Sequence, residues 1–206
     1  RLNGFSVGVI ANNPMFGAGT LDPQACHKII RLATVCDSYN IPIIFLADVP
    51  GFMVGERVEH ELMLHWGMRM MHALQNCSAP TLTVCIRKAF GLAWQAMNGS
   101  QMPALGVYSW PGAEIGFMDP EVGVNVAFGS KLARIEDENA REAERLELVR
   151  EVGESTNPYE AAGTMRIDEI IDPGDTRGVL AHDLEMLAHR AVPPPEARPL
   201  SYWPTC

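Results

Sequence analysis

Three times between residues 5 and 101 the chain runs an apolar stretch into a glycine- or proline-bearing turn and then into a segment with helical spacing. The stretches are Phe5–Ala11, Ile41–Ala47 and Thr81–Ile86. They are continuous apolar runs without strict alternation, the pattern of strands buried on both faces, and such strands form parallel sheets joined by helical crossovers. This layout predicts an α/β fold. In the first crossover Asp22 is placed to cap a helix with Pro23 at its first position. That helix is expected to reach Asn40, burying Cys26, Ile29, Ala33 and Cys36 as one stripe. The second helix is expected from about Val58 to Cys77, carrying Met63, Trp66, Met70, Leu74 and Cys77, and the third through about Gln101.

Beyond Gln101 the pattern loosens. Shorter strands are expected over Ala104–Trp110 and Ala113–Met118, separated by a Pro111-Gly112 turn. Residues 134–151 are charged at most positions, with Ala143, Leu146 and Val149 as a thin apolar edge, and read as a solvated helix. A last helix is expected over Asp175–Arg190, burying Leu180, Leu184 and Leu187, followed by an irregular tail over residues 193–206. One domain, residues 1–192, therefore precedes the tail. No internal repeat is visible. Arg1-Leu2-Asn3-Gly4 leads straight into the first strand, which reads as a piece cut from, or paired with, something upstream.

Several function classes fall away. A net charge of −9 with sixteen scattered Lys and Arg leaves no phosphate-binding surface for nucleic acid. No apolar run reaches the roughly 18 residues of a membrane span. Five cysteines without a C-x-x-C pair indicate neither zinc ribbon nor disulfide scaffold and suit a reducing compartment. Gly17-Ala18-Gly19 lacks the third glycine of a dinucleotide loop and the G-K-[S/T] of a P-loop. His65 and His72 share no ligand set with a carboxylate or cysteine at matching spacing, so no metal site is assigned. Ser100 lies outside G-x-S-x-G. Asp48, closing the second strand, reads as a carboxylate bonded to its own loop in preference to a general base.

The segment Arg87-Lys88-Ala89-Phe90-Gly91-Leu92-Ala93 is different, because it opens a helix through a glycine. The first N–H groups of a helix have no intrahelical acceptor and lie at the positive end of the peptide dipoles, so they can receive a developing oxyanion without a side-chain base. From spacing alone, a tight turn with nothing bound fits as well.

Four motifs in order tilt that balance: Asp48-Val-Pro-Gly-Phe-Met-Val-Gly55, Arg87-Lys-Ala-Phe-Gly-Leu-Ala93, Tyr108-Ser-Trp-Pro-Gly-Ala-Glu-Ile115 and Ile167-Asp-Glu-Ile-Ile-Asp-Pro173. Together, over about residues 5–190, they resemble the C-terminal half of the carboxyltransferase (beta) subunit of biotin-dependent acyl-CoA carboxylases of the propionyl-CoA and methylcrotonyl-CoA type. The resemblance implies a crotonase-like ββα superhelix with extra C-terminal helices. It also implies an enzyme component that moves a carboxyl group from carboxybiotin to the α carbon of an acyl-CoA, with the enolate and ureido oxyanions held by backbone amides and no metal. Carried over by motif, the amides are those of Leu92 and Ala93, with Gly91 permitting close approach and the biotin oxygen as their client. Gln95 falls at an acyl-selecting position, and Phe90, Trp94, Pro50, Gly51 and Phe52 fall where substrate contacts are expected.

The same resemblance implies partners: an N-terminal-half carboxyltransferase domain or subunit, a biotin carboxyl carrier, a biotin carboxylase, and an oligomer of one or two chain types. It places the protein in the cytoplasm, or in the mitochondrial matrix of a eukaryote, and makes this chain inactive alone. Family members usually read Gly-Gly-Ala-Tyr at the turn and often Asp where Gln95 stands. Here Leu92 replaces the second glycine, Trp94 the tyrosine, and Trp66 a histidine before Gly67. Alternative readings are another crotonase-like acyl-CoA enzyme (decarboxylase, hydratase or isomerase) and a non-catalytic structural subunit.

Overall fold

A computed structural model describes residues 1–189 and 200. In chain order the elements are β1 (Gly8–Ala11), α1 (Pro23–Ser38), β2 (Ile43–Val49), α2 (Glu56–His60), α3 (Met63–Gln75), β3 (Thr81–Phe90), α4 (Gly91–Ala96), β4 (Gly106–Ser109), β5 (Glu114–Gly116), α5 (Pro120–Leu132), α6 (Glu138–Glu154), α7 (Pro158–Gly163), β6 (Glu169–Ile170) and α8 (Thr176–His189). The sheet runs β1-β2-β3-β4-β6, and β5 pairs with the far end of β3. Every pairing is parallel.

Both faces of the sheet are covered, as the continuous apolar strands require. On one face Ile43, Phe45, Ala47 and Cys85 pack with Ile30 and Ala33 of α1, Met70 and Leu74 of α3, and Ala93 and Ala96 of α4. On the other, Ile44, Leu82, Val84 and Tyr108 pack with Leu180 and Leu184 of α8. Tyr108 Oη donates to Asp183 at 2.6 Å and Trp110 Nε1 to Thr176 Oγ1 at 2.9 Å, which fixes α8 across β4. A smaller apolar cluster, Val124, Leu132 and Leu148, joins α5 to α6.

The first crossover forms as its sequence requires: Asp22 accepts from Ala25 N–H at 2.7 Å with Pro23 opening α1. At the other end of α1, buried Asp37 accepts from Ser78 N (2.7 Å), Ser78 Oγ (2.7 Å) and Ala79 N (2.8 Å). A carboxylate in α1 therefore orders the turn that feeds β3, and so sets where β3 begins.

Several boundaries differ from the sequence expectation. β1 begins at Gly8, because Leu2 and Phe5 bridge one another in a tight antiparallel turn first. The expected Val58–Cys77 helix is two helices, broken at Leu62, whose φ of 62° is left-handed. β3 continues through Arg87, Lys88 and Phe90, residues expected in a turn, because β5 extends its ladder. α4 ends at Ala96 well short of Gln101, since Asn98 (φ 59°) terminates it. In α6 the buried residue is Leu148, whereas Leu146 is 54% exposed, so the apolar edge lies one position from the expected stripe. The helix is otherwise solvated, laced by Arg145–Glu142, Arg150–Glu147 and Arg150–Glu154 pairs. The expected tail, residues 193–206, lies outside the described residues except for Leu200, which is buried.

Replacing Asp37 with alanine withdraws the acceptor from Ser78 N and Oγ, Ala79 N and the Cys77 thiol, two of them main-chain groups in the turn before β3. The expected result is a loss of about 2 kcal/mol in unfolding free energy. Urea denaturation measures it, and an unchanged midpoint would contradict the role given to this side chain.

Candidate active site

The turn singled out in the sequence is built by a change of partner along β3. Its first half pairs with β4, Leu82 opposite Gly106 through Cys85 opposite Ser109. Its second half pairs with β5, Lys88 opposite Glu114 through Phe90 opposite Gly116. Between the halves the register with β2 shifts: Ala47 faces Cys85, but Val49 faces Ala89. Two steps along β2 thus correspond to four along β3. Such a bulge bends a strand and re-aims the residues after it.

Asp48 sits opposite the bulge. Its carboxylate accepts from Lys88 N–H at 3.2 Å and from Arg87 Nε at 3.1 and 3.2 Å. Its own N–H donates to Asn12 Oδ1 at 3.2 Å, and Asn12 Nδ2 donates to Gly19 O at 2.9 Å. The structural reading of Asp48 holds in kind, but its partners belong to the neighbouring strand and not to its own loop. Lys88 Nζ pairs with Asp119 at 2.8 Å, which fastens the segment after β5 to the same stretch.

β3 delivers Gly91 at φ 57°, left-handed, with Phe117 O only 2.9 Å from where a Cβ would stand. Both facts demand glycine. α4 then begins with Phe90 at its N-cap, whose side chain makes no capping bond. Among the described residues the N–H groups of Leu92 and Ala93 have no hydrogen-bond acceptor. They are first-turn donors of the helix. Leu92 is 45% exposed, whereas Ala93 is buried. The leucine that replaces the expected second glycine is therefore at the surface and does not fill the turn.

The other expected site residues divide into two groups. Phe90 and Trp94 are buried at 2% and 4% exposure. Trp94 Nε1 donates to Ser100 Oγ at 2.9 Å, Ser100 Oγ donates to Arg166 O at 2.7 Å, and the indole lies against Gly99 with no room for a Cβ there. Gln95 and the Pro50-Gly51-Phe52 loop are partly exposed. Gln95 Nε2 donates to Gln101 Oε1 at 2.9 Å. Leu21 N–H donates to Gly51 O (3.1 Å) and Met53 N–H to Leu21 O (2.8 Å), so the loop is stitched to the start of α1. The Phe52 ring lies 3.2 Å from where a Cβ on Gly67 would stand, which explains the glycine beside Trp66.

Two clefts flank the end of β3. One, about 440 Å³, is lined by Lys88, Glu114, Asp119, Glu121, Val149 and Thr156 among others. The second, about 470 Å³ and more apolar, includes Gly116, Phe117, Met118, Val126 and Phe128, and its Phe117 also crowds Gly91. Neither is lined by Leu92 or Ala93. No Asp or Glu lies between Arg87 and Gln101 in the sequence. Burial pushes the Cys85 thiol up to about 12, and Cys26 and Cys77 likewise, so none of these is poised as a thiolate. No group of three or more His, Cys, Asp or Glu among the described residues is placed to hold a metal ion. No helix among them is long and apolar enough to cross a membrane.

Sequence reasoning missed α5 and Asp119. The signal was present as Asp119-Pro120: Asp119 Oδ1 accepts from Glu121 N–H at 3.1 Å and Pro120 opens the helix, the same device as Asp22-Pro23.

Comparison with known proteins gives the family. The chain belongs to the carboxyl transferase domain family, whose model matches residues 1–199. It is 41% identical over 198 residues to the carboxyltransferase subunit of propionyl-CoA carboxylase of Haloferax mediterranei, covering 96% of this chain and 38% of that protein. It is 37% identical over 190 residues to the methylmalonyl-CoA decarboxylase subunit alpha of Veillonella parvula, covering 92% of this chain and 35% of that protein. Among solved structures, the transcarboxylase 12S crystal structure, a hexamer assembly with methylmalonyl-coenzyme A and methylmalonic acid bound, superposes with a TM-score of 0.84 at 38% identity. That match covers 96% of this chain and 38% of that one. The fold is crotonase-like α/β. The chain spans less than two-fifths of the length of each of these relatives.

Because the Trp94 indole occupies the space where a Gly99 side chain would stand, Gly99→Ala overpacks the support of α4. Chemical denaturation is expected to show a loss of about 1–3 kcal/mol. Parental stability would mean that the indole moves aside freely.

Proposed function

We propose that this chain is the C-terminal half of a carboxyltransferase that moves a carboxyl group from carboxybiotin to the α carbon of an acyl-CoA. The family membership and the solved relative with methylmalonyl-coenzyme A bound support the reaction class. One observation carries the mechanism: two adjacent main-chain N–H groups, Leu92 and Ala93, begin a helix at a glycine-only turn with no acceptor among the described residues.

Neutral N–H donors stabilise negative charge as it develops on an oxygen and do not protonate it, and loss of one such donor typically lowers a rate by about 10²- to 10³-fold. This donor set fits the oxygen of a cyclic urea or a thioester. Biotin, when present, supplies the carboxyl group and then the base for the α-proton, so no acid or base is asked of residues 87–101. In this reading the amides of Leu92 and Ala93 hold the oxygen on the biotin side, and Gly91 lets the backbone approach it. Gln95, Pro50 and Gly51 touch substrate. Phe52, Phe90 and Trp94 support the turn and loop from behind.

The second oxyanion needs a second pair of donors, which this reading assigns to an N-terminal-half domain or subunit. The site is then complete only in an oligomer, served by a biotin carboxyl carrier and a biotin carboxylase. The share of each relative left uncovered by this chain supports that requirement.

The Veillonella relative favours a second reading, in which the same donors serve carboxyl removal from an acyl-CoA. The direction taken by a labelled carboxyl group in the assembled enzyme separates the two.

The chain alone is expected to show no acyl-CoA carboxylation, and the co-expressed halves to show it. Gly91→Val, which places side-chain atoms against Phe117 O and forbids φ 57°, should lower the rate of the assembled enzyme at least about 10²-fold. Circular dichroism should show the fold retained. Turnover by a lone monomer, or a Gly91→Val enzyme near parental rate, would defeat the proposal.

A further inference from the structure

The bulge in β3 lies immediately before the amide turn, and one side chain fills it. Only Ala89 and Phe90 separate Lys88 from Gly91. Both pair with β5, Ala89 with Ile115 and Phe90 with Gly116, so this stretch is a ladder-bound link and not a loose connection. Where Lys88 N–H is held, Gly91 comes just beyond the two intervening residues. In a regular parallel ladder that N–H would bond a carbonyl of β2. The register shift removes the regular partner, and the Asp48 carboxylate takes its place at 3.2 Å.

The carboxylate is unlike a solvated surface acid. Asp48 is 7% exposed, and both of its oxygens accept from Arg87 Nε, while Oδ1 also accepts from Lys88 N. Its backbone N–H is tied to Asn12 at the end of β1, and its carbonyl oxygen lies 2.6 Å from where a Cβ on Gly19 would stand. Asp48 is therefore fixed from the β1 side and reaches across to β3. The cation beside it, Arg87, is 53% exposed at its side chain, so the pair is half-solvated and the ionic part of the interaction is screened. The hydrogen bond from Lys88 N–H to the carboxylate uses a main-chain donor next to buried Ala89, and its loss leaves that donor without a partner.

We propose that Asp48 is a positioning residue for the Leu92–Ala93 amides. By substituting for the missing ladder acceptor at the β3 bulge, it sets the angle at which β3 delivers Gly91. This role rests on the carboxyltransferase reading of the turn, and it extends that reading to a side chain on a neighbouring strand. Asp48 does not move a proton in this scheme. What matters is an oxygen acceptor at that point, so asparagine, which keeps one, should serve nearly as well, and alanine should not.

The test uses this chain assembled with its N-terminal-half partner and reads both amide hydrogen exchange and steady-state kinetics. In Asp48→Ala, exchange at Lys88 and Ala89 should rise at least about tenfold with distant β3 amides unchanged. In the same variant kcat should fall about 10- to 100-fold, the effect of a misplacement near 1 Å, with KM for acyl-CoA within about twofold. Asp48→Asn should return both exchange and kcat to within about threefold of the parent, since an amide oxygen can accept the same bond. Unchanged exchange at Lys88 in Asp48→Ala overturns the proposal, as does a rise in KM with kcat intact. An asparagine enzyme as slow as the alanine one overturns it too, because an ionised carboxylate would then be required.

If the alanine chain does not fold, Arg87→Met carries the test, removing the guanidinium but leaving the Lys88 bond. A kcat within about threefold is expected, and a fall beyond about tenfold would assign the work to the ion pair and contradict the proposal. If the parental assembly transfers no carboxyl group, the functional reading fails, while the exchange measurement still decides what Asp48 does to the bulge.

Discussion

A ten-residue strand that changes neighbours partway along is the constraint on which the rest of this site depends. β3 pairs first with β4 and then with β5, and between the two its register with β2 shifts at Ala47–Val49, the kind of irregularity that bends a strand. Past the shift Ala89 still faces Val49 of β2, while on the other side Lys88, Ala89 and Phe90 pair with β5. Gly91 has a left-handed φ under the carbonyl of Phe117, and α4 starts with the N–H groups of Leu92 and Ala93 facing no acceptor among the described residues. An exposed helix start is ordinarily capped or solvated, since unpaired buried donors are destabilising. Here the half-exposed Leu92 leaves the turn at the surface, where another molecule can complete it.

The supports of this turn are distributed over elements remote in sequence. Trp94 reaches Ser100, and Ser100 reaches the carbonyl of Arg166, joining α4 to the chain just before β6. Asn98 Nδ2 donates to Thr81 Oγ1 at 2.9 Å, and Thr83 Oγ1 donates to Asn98 O at 2.7 Å, which returns the end of α4 to the start of β3. Lys88 and Asp119 close the outer side. Each contact is worth on the order of 1 kcal/mol. Together the Trp94 and Asn98 bonds tie α4 and the residues just after it to the start of β3 and to the chain before β6.

Much of this was legible in the residues. The continuous apolar runs gave three of the parallel strands, and Asp22-Pro23 gave the cap of α1, because both signals are local and depend on burial and backbone geometry alone. Gly91 was legible as a turn glycine for the same reason. The extension of β3 through Phe90 was not, because Arg87 and Lys88 are poor candidates for a strand until Asp48 and Asp119 supply their partners. The break at Leu62 was equally hidden, since nothing in Glu61-Leu62-Met63 announces a left-handed leucine. The motif places Trp94 and Phe90 at substrate-contact positions; in the structure both are buried, against Ser100, Gly99 and Gly116, which no spacing rule connects to the turn.

Main-chain donors carry the chemistry proposed for this chain, and a structure of the two halves assembled with biotin bound tests that claim most directly. A ligand oxygen is expected about 2.7–3.1 Å from the nitrogens of both Leu92 and Ala93, with Gly91 still left-handed. A bound ligand whose oxygens are held elsewhere, with these two nitrogens turned to internal carbonyls or to bulk water, would contradict it.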